Sequence, residues 1–383
     1  YNEMNSALAT ELMAGGGPDI MSLTQTYPFE KLVRNNSLAD IDEIVSTYNA
    51  DVDFDEFNEN VMKSGVIDGK RVILPLYYRL NALYTTTQKL EELGLDPESF
   101  TYESILEAYK NGNIDAYLVN PYSAENFYLS FIRQYIDFYE GTADFESDEF
   151  YNLAEDFKYA IFNGKTYSEM LSYLSGYGET GFEPEDTSDY IFSANESNYY
   201  GGSLVTYAMD YIWALEGAQV PVLYPAYSRS GEVTASIEVG FAINANCKKM
   251  DKAAKLIEYL LSDSSQGYFG GGRDDTYSTG LSLPVKNSVF DNAVKEAIGF
   301  EQYWGYSFSK EFVELKNKAI TEEYLPMIES ISSCNLYGYN SQLKSHLYQN
   351  VIGDIINDYL NDKITTNKFV QRLTSATTIY MSE

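Results

Sequence analysis

The chain has 383 residues, with 26 Lys+Arg against 57 Asp+Glu and a formal net charge of −31. That length allows two domains, each with a sizeable core, and that charge argues against nucleic acid or anionic membranes as partners. With 2 Cys and 1 His, a structural zinc site has too few ligands, and no apolar run reaches the roughly 18 residues a membrane-spanning helix needs.

The first organised stretch covers residues 7–23, ALATELMAGGGPDIMSL. Met4, Leu8 and Leu12 recur on one helical face. Gly15, Gly16 and Gly17 end that helix, and Pro18 prevents its continuation. Ile20, Met21 and Leu23 then predict a short strand covered on both faces. A helix feeding a buried strand predicts a parallel α/β sheet, with ligands beyond the carboxyl ends of its strands. Thr24, Gln25, Thr26 and Tyr27 fall there. The chain starts at Tyr1 inside a helical pattern, so a leader and some mature sequence are expected to precede it.

Residues 28–44 predict a short helix, a turn at Asn35–Asn36 and a second helix. Asp51, Asp53 and Asp55 suggest a calcium loop, but Glu56 replaces its glycine and Met62 its bidentate glutamate. A solvated helix start is the expectation. Residues 69–90, GKRVILPLYYRLNALYTTTQKL, predict strands at 72–76 and 82–85. Between them Tyr77, Tyr78, Arg79 and Asn81 form a polar-aromatic cluster.

Several helices follow between residues 91 and 135. Ser147 then caps a helix whose apolar stripe is Phe150, Leu153, Ala154, Phe157 and Ile161. Residues 176–200 are polar and poorly periodic and read as a long loop. The apolar stretch 203–213 holds Asp210, whose charge asks for a cap, a partner or a cleft. After a PVLYPAY strand, residues 239–243 form a strand that leads into a helix. Its stripe is Ala253, Ala254, Ile257, Leu260 and Leu261, with Asp251 as the expected cap. The glycine loop 270–285 lacks the lysine of a phosphate loop. The tail is helical, with Leu347, Val351, Ile352, Ile355, Ile356 and Tyr359 in one segment and Phe369, Leu373, Ala376 and Tyr380 in the next.

The AGGGPDI unit resembles extracellular solute-binding proteins of ATP-binding-cassette (ABC) carbohydrate importers, the maltose-binding-protein-like group. Residues 69–90 resemble that family's first interdomain crossover, and residues 237–263 its return crossover, ending LLSDSSQ. LPVKNSVF and the terminal YMSE also resemble family segments and stand in the family's order. Thr85–Thr86–Thr87 departs from the "tyr-asn-lys" that often follows the second crossover strand. The resemblance implies an α/β, two-domain periplasmic-binding-protein-like fold with discontinuous domains and a hinge. Residues 1–80 plus 238–287 would form the N-terminal lobe, without its first strand and helix, and residues 82–235 plus 290–383 the more helical C-terminal lobe. It further implies a monomer outside the cell, lipid-anchored, delivering an oligosaccharide from an interdomain cleft to permease subunits, with no catalytic residue, metal or cofactor.

The residues themselves suit that chemistry. Sugars are held by aromatic faces and by planar polar groups that pair with hydroxyls, and the chain has 36 Tyr and 20 Phe with 2 Trp. The candidate contacts are Tyr27, Tyr77, Tyr78, Arg79 and Asn81 by their crossover position, with Tyr207, Asp210, Trp213, Tyr277 and Trp304 added from the second domain. Two alternatives stay open. A glycoside hydrolase would use carboxylates about 5–10 Å apart, and a surface adhesin would never release its ligand. His346 stands among helix formers without a GxSxG elbow, and Cys247 and Cys334 leave one disulfide open.

Overall fold

The computed structural model describes residues 2–22, 29–80, 82–95, 102–111, 117–119, 128–129, 131–132, 134–137, 142–162, 166–169, 190–194, 219–223, 234–270, 283–303, 306–331, 333–335 and 347–382. In chain order the principal strands are β1 (Ile20–Ser22), β2 (Leu74–Leu80), β3 (Ala82–Thr86), β4 (Tyr117–Val119), β5 (Tyr190–Ala194), β6 (Gln219–Leu223), β7 (Thr234–Ile243), β8 (Leu283–Pro284) and β9 (Ser333–Asn335). The principal helices are α1 (Asn2–Met13), α2 (Phe29–Arg34), α3 (Ile41–Tyr48), α4 (Tyr102–Asn111), α5 (Asp148–Phe162), α6 (Met250–Leu260), α7 (Asp263–Gly270), α8 (Asn287–Gly299), α9 (Lys310–Lys318), α10 (Gly353–Leu360) and α11 (Thr366–Ser382). They fall into two compact units: Tyr1–Asn81, Ser197–Gln219 and Val233–Gly338 in one, and Ala82–Glu196, Val220–Glu232 and Tyr339–Glu383 in the other. Residues 290–338, expected in the second lobe, fall in the first unit.

The first unit is built on a mixed sheet of order β1-β7-β2-β8, with β9 also paired to β7. The expected parallel sheet needs correction. β7 runs antiparallel to β1, with Ile20 opposite Ile243, and antiparallel to β2, with Leu80 opposite Ala235. Among the described strands, β9 is the one that pairs with it in parallel. A return strand inserted between β1 and β2 separates two strands that do run the same way, and local sequence does not reveal that insertion.

The helix stop before β1 forms as the glycines require. Gly15 and Gly17 have φ of +84° and +85°, a region in which a β-carbon is disfavoured. At Gly17 that carbon would also lie 2.8 Å from Leu12 Cδ2. The buried Asn244 then latches the stop to the end of β7. Its Nδ2 donates to the carbonyls of Gly16 (2.7 Å) and Pro18 (3.1 Å), and its Oδ1 accepts from the Asn246 amide. Asp40 caps α3 by accepting from the Asp42 amide. Asp53 caps the short turn Phe54–Glu56 in the same way, so the acidic run starts a helical turn. Asp251 is not the cap of α6: the helix begins at Met250, and Asp251 sits inside its first turn, where the helix dipole favours an acid. Ala253, Ala254, Ile257, Leu260 and Leu261 are buried as the periodicity predicts.

The second unit has a sheet of order β6-β3-β5-β4, with β5 antiparallel to β3 and parallel to β4. β5 lies within the stretch read as a loop. Its YIFSA run is rich in strand formers, but the polar residues around it hide the signal; the rest of that stretch is outside the described residues. Ser147 caps α5 through a 3.2 Å bond from the Phe150 amide. Phe150, Ala154, Phe157 and Ile161 are buried there and Leu153 is half-buried. Phe150 meets Phe131, Tyr135, Phe145 and Phe369 at centroid distances of 5.6, 4.9, 4.9 and 6.3 Å. Tyr359 of α10 stacks on Phe369 of α11 at 4.1 Å. A π-helical turn, Tyr348–Ile352, leads into α10. Gly353 closes it because a β-carbon there would lie 2.7 Å from the Tyr348 carbonyl oxygen.

Candidate functional site

The candidate site is one end of the first unit's sheet. β2 finishes there, with Leu80 opposite Ala235, and β7 begins there, while β1 runs the same way but stops short at Ser22, opposite Phe241. β9 takes over, at Thr234–Ser236, the edge of β7 that β1 occupies at Phe241–Ile243. Ligands of α/β sheets collect beyond the carboxyl ends of such strands.

The polar-aromatic cluster expected between two strands is part of β2 itself. Tyr77 pairs with Val239 of β7 and Pro284 of β8, and Tyr78 with Ile237 and Leu283. These ladders on both edges extend the strand to Leu80. Tyr77 and Tyr78 are only 2% and 1% exposed, so both rings lie within the unit. The Tyr77 hydroxyl donates to the carbonyls of Ser265 (3.1 Å) and Gln266 (2.9 Å) on α7. The buried Gln266 side chain in turn accepts from the Val285 amide at 3.2 Å and donates to the Leu260 carbonyl at 3.1 Å. Tyr78 lies near Tyr324, whose hydroxyl is pushed far above the usual tyrosine range by complete burial and then by Tyr78 itself.

Arg79 follows in β2, opposite Ser236. Asn81, one residue past the strand, is outside the described residues. So are Tyr27, Tyr207, Asp210, Trp213, Tyr277 and Trp304. The register adds residues that sequence reading missed. Ser236 faces Arg79 on one side and Asn335 on the other, and Thr234 pairs with Ser333. The signal for the β7 members was the alternation T-A-S-I-E-V, which starts the strand before Val239. The β9 members carried no usable local signal.

Lys286, just after β8, is held on Asp263 at 2.7 Å and Glu56 at 3.2 Å, above the Phe57 ring. Partial burial works against its charge, yet its hydrogen bonds to Asp263 and Glu56 outweigh that and raise its pKa. Among the described residues no group of acids, cysteines and histidine could hold a metal ion. Cys247 is a buried free thiol, so the possible disulfide does not form.

Residues 1–267 match the family of bacterial extracellular solute-binding proteins. The chain belongs to that family. As a solute-binding protein it is similar to several solved structures. One is a candidate oligosaccharide periplasmic-binding protein from Synechococcus sp. MITs9220, at 14% identity and TM-score 0.59, covering 99% of this chain and 89% of that one. A chitin oligosaccharide binding protein matches at 12% identity and TM-score 0.52, over 98% and 87% of the two chains. The GacH receptor of Streptomyces glaucescens GLA.O, solved unliganded and with acarbose, matches at 14% identity and TM-score 0.51, over 100% and 89%. The α/β periplasmic-binding-protein fold is therefore that of this solute-binding protein. No curated protein matches the sequence, and among the described residues no helix is long and apolar enough to cross a membrane.

Proposed function

We propose that this solute-binding protein captures a sugar or oligosaccharide outside the cell and delivers it to the permease of an ABC importer, without covalent chemistry. The observation that carries this reading is the family match over residues 1–267. It is supported by the fold shared with proteins named for oligosaccharides and by a chain with 36 Tyr and 20 Phe. Arg79 and Asn81 take ligand hydroxyls, and Tyr27, Tyr207, Asp210, Trp213, Tyr277 and Trp304 are the further contacts. Tyr77 and Tyr78, buried in β2, hold the strand rather than touch the sugar. The protein works as a lipid-anchored monomer. No observation favours the hydrolase, the other reading of so acidic a chain.

The test is thermal unfolding with maltotriose, chitotriose, cellotriose and xylotriose, each mixture then analysed for shorter sugars. Ligand at a hundred times its Kd stabilises a fold by about 2.7 kcal/mol, a readable shift. A shift with intact sugar is expected. Cleaved sugar would transfer the case to the hydrolase, and the lack of any shift would remove the sugar reading.

A further inference from the structure

We propose that the solvent face of α6, with Lys248, Lys249, Lys252, Lys255 and Tyr259, rests against the anionic lipid headgroups of the membrane that holds the permease. The proposal rests on the reading that puts this protein at a membrane, and adds the side it turns towards that surface.

Positive charge is scarce in this chain, which has more than two acids for each Lys or Arg. Four of its 26 cations nevertheless fall within residues 248–255, where Asp251 is the single acid. All four lysines are exposed. Ala253, Ala254, Ile257 and Leu260 turn into the unit. Lys252, Lys255 and Tyr259 recur at helical spacing on the opposite side, and Tyr259 is 60% exposed there. Lys248 and Lys249 extend the cationic run beyond the helix start. The exposed acids of α6, Asp251 and Glu258, sit to the side of this stripe.

A merely solvated face intersperses both signs of charge. Elsewhere the cations of this acidic chain find acids: Lys63, Lys110, Lys158 and Lys286 each hold a carboxylate. Among the described residues, none of the four lysines of this patch has an ion pair. Helix stability does not account for them either. Lys248, Lys249 and Lys252 stand at the end of α6 where its dipole disfavours a cation, and Lys249 supplies no side-chain cap.

The cations are all lysine, and that selects the occupant. Protein interfaces favour arginine and are depleted in lysine, because the planar guanidinium fork matches a single carboxylate. Lysine is a flexible point charge, suited to a diffuse layer of phosphates, and lysine clusters are drawn to anionic bilayers. An exposed tyrosine, with an apolar ring and a polar tip, suits the same boundary. The net charge of −31 does not prevent this approach. Charges more than about 8–10 Å apart are screened at ordinary salt, so a bilayer responds to the groups nearest to it.

The experiment is co-sedimentation of the full chain, without sugar, on vesicles of phosphatidylcholine alone or with about half phosphatidylglycerol, in about 0.1 M salt. Wild type is compared with K248Q/K252Q/K255Q and with K63Q/K110Q/K318Q, which loses the same charge from exposed lysines elsewhere. Wild type is expected on the anionic vesicles only, and K248Q/K252Q/K255Q should bind them about 10- to 100-fold more weakly. The control variant should stay within about twofold of wild type, and about 0.5 M salt should release both. Absence of wild-type binding, or equal losses in the two triple variants, would overturn the proposal and leave sugar capture untouched. Binding of polyglutamate in place of the vesicles would also overturn it and give the face to an acidic protein segment. Thermal shifts with the four trisaccharides decide the ligand reading separately.

Discussion

The two units solve the same packing problem with different materials. Among the described residues, the buried polar side chains of the first unit are Ser37, Ser236, Asn244, Ser265, Gln266 and Lys316, against Thr366 and Thr377 in the second. The first unit assembles its sheet from segments far apart in the chain, so loop carbonyls and helix ends become buried between them. Asn244, Gln266 and Lys316 satisfy those groups; Lys316 donates to the carbonyls of Ala297, Ile298 and Phe300 at the end of α8. The second unit relies on rings around Phe150 and Phe369 and leaves backbone groups to its helices. An interior of latches should fail by losing particular bonds, and an interior of rings by losing volume.

Phe150→Ala tests the second half of that contrast. It removes a ring of 0% exposure and should cost about 3–5 kcal/mol in urea unfolding; a loss below about 1 kcal/mol would mean that the ring cluster is not the second unit's core. Lys316→Met keeps the aliphatic stem and deletes the donors. Its expected cost is about 2 kcal/mol, because buried carbonyls are left unpaired, and a neutral result would remove the latch argument. Asp40→Ala deletes a cap on α3 and should cost about 1 kcal/mol, with Asp40→Asn recovering most of it.

The smallest effect sharpens the contrast through pH. Burial lowers the pKa of Lys316, with Glu301 opposing. The unfolded chain therefore binds more protons between the folded pKa and the ordinary lysine value of 10.5, and Lys316 adds stability as pH rises across that window. Lys286 has the opposite sign: its contribution is complete below 10.5 and is lost as pH climbs through its raised folded value. Unfolding measured from pH 8.5 to 11.5 should show the gap between wild type and Lys316→Met widening up to about 10.5, and the gap for Lys286→Met closing above it. Parallel curves for the two variants would contradict both assignments.

What could be read from the sequence was local. Phe150, Ala154, Phe157 and Ile161 announce their helix by spacing, Ser147 announces its start, and Gly15 to Gly17 announce the stop before β1. What could not be read depends on distant partners. β2 extends through Tyr77 and Tyr78 because β7 and β8 flank it, and nothing near residue 77 carries that information. Arg79 was legible as a polar residue in an aromatic cluster, whereas Ser236 and Asn335 become its neighbours only when three strands align. The π-helical turn before Gly353 escaped because its neighbours Leu347, Val351, Ile352 and Ile355 keep an ordinary helical rhythm.

The return strand β7 also sets a timetable. Ile20 has its ladder partner at Ile243, and Ser236 meets Asn335 still later. During synthesis β1 emerges and then waits while more than half of the protein is made. Contacts of such sequence separation slow folding. The first unit consequently stays open until translation is nearly complete, an advantage for an extracellular protein whose chain must cross a membrane before it folds.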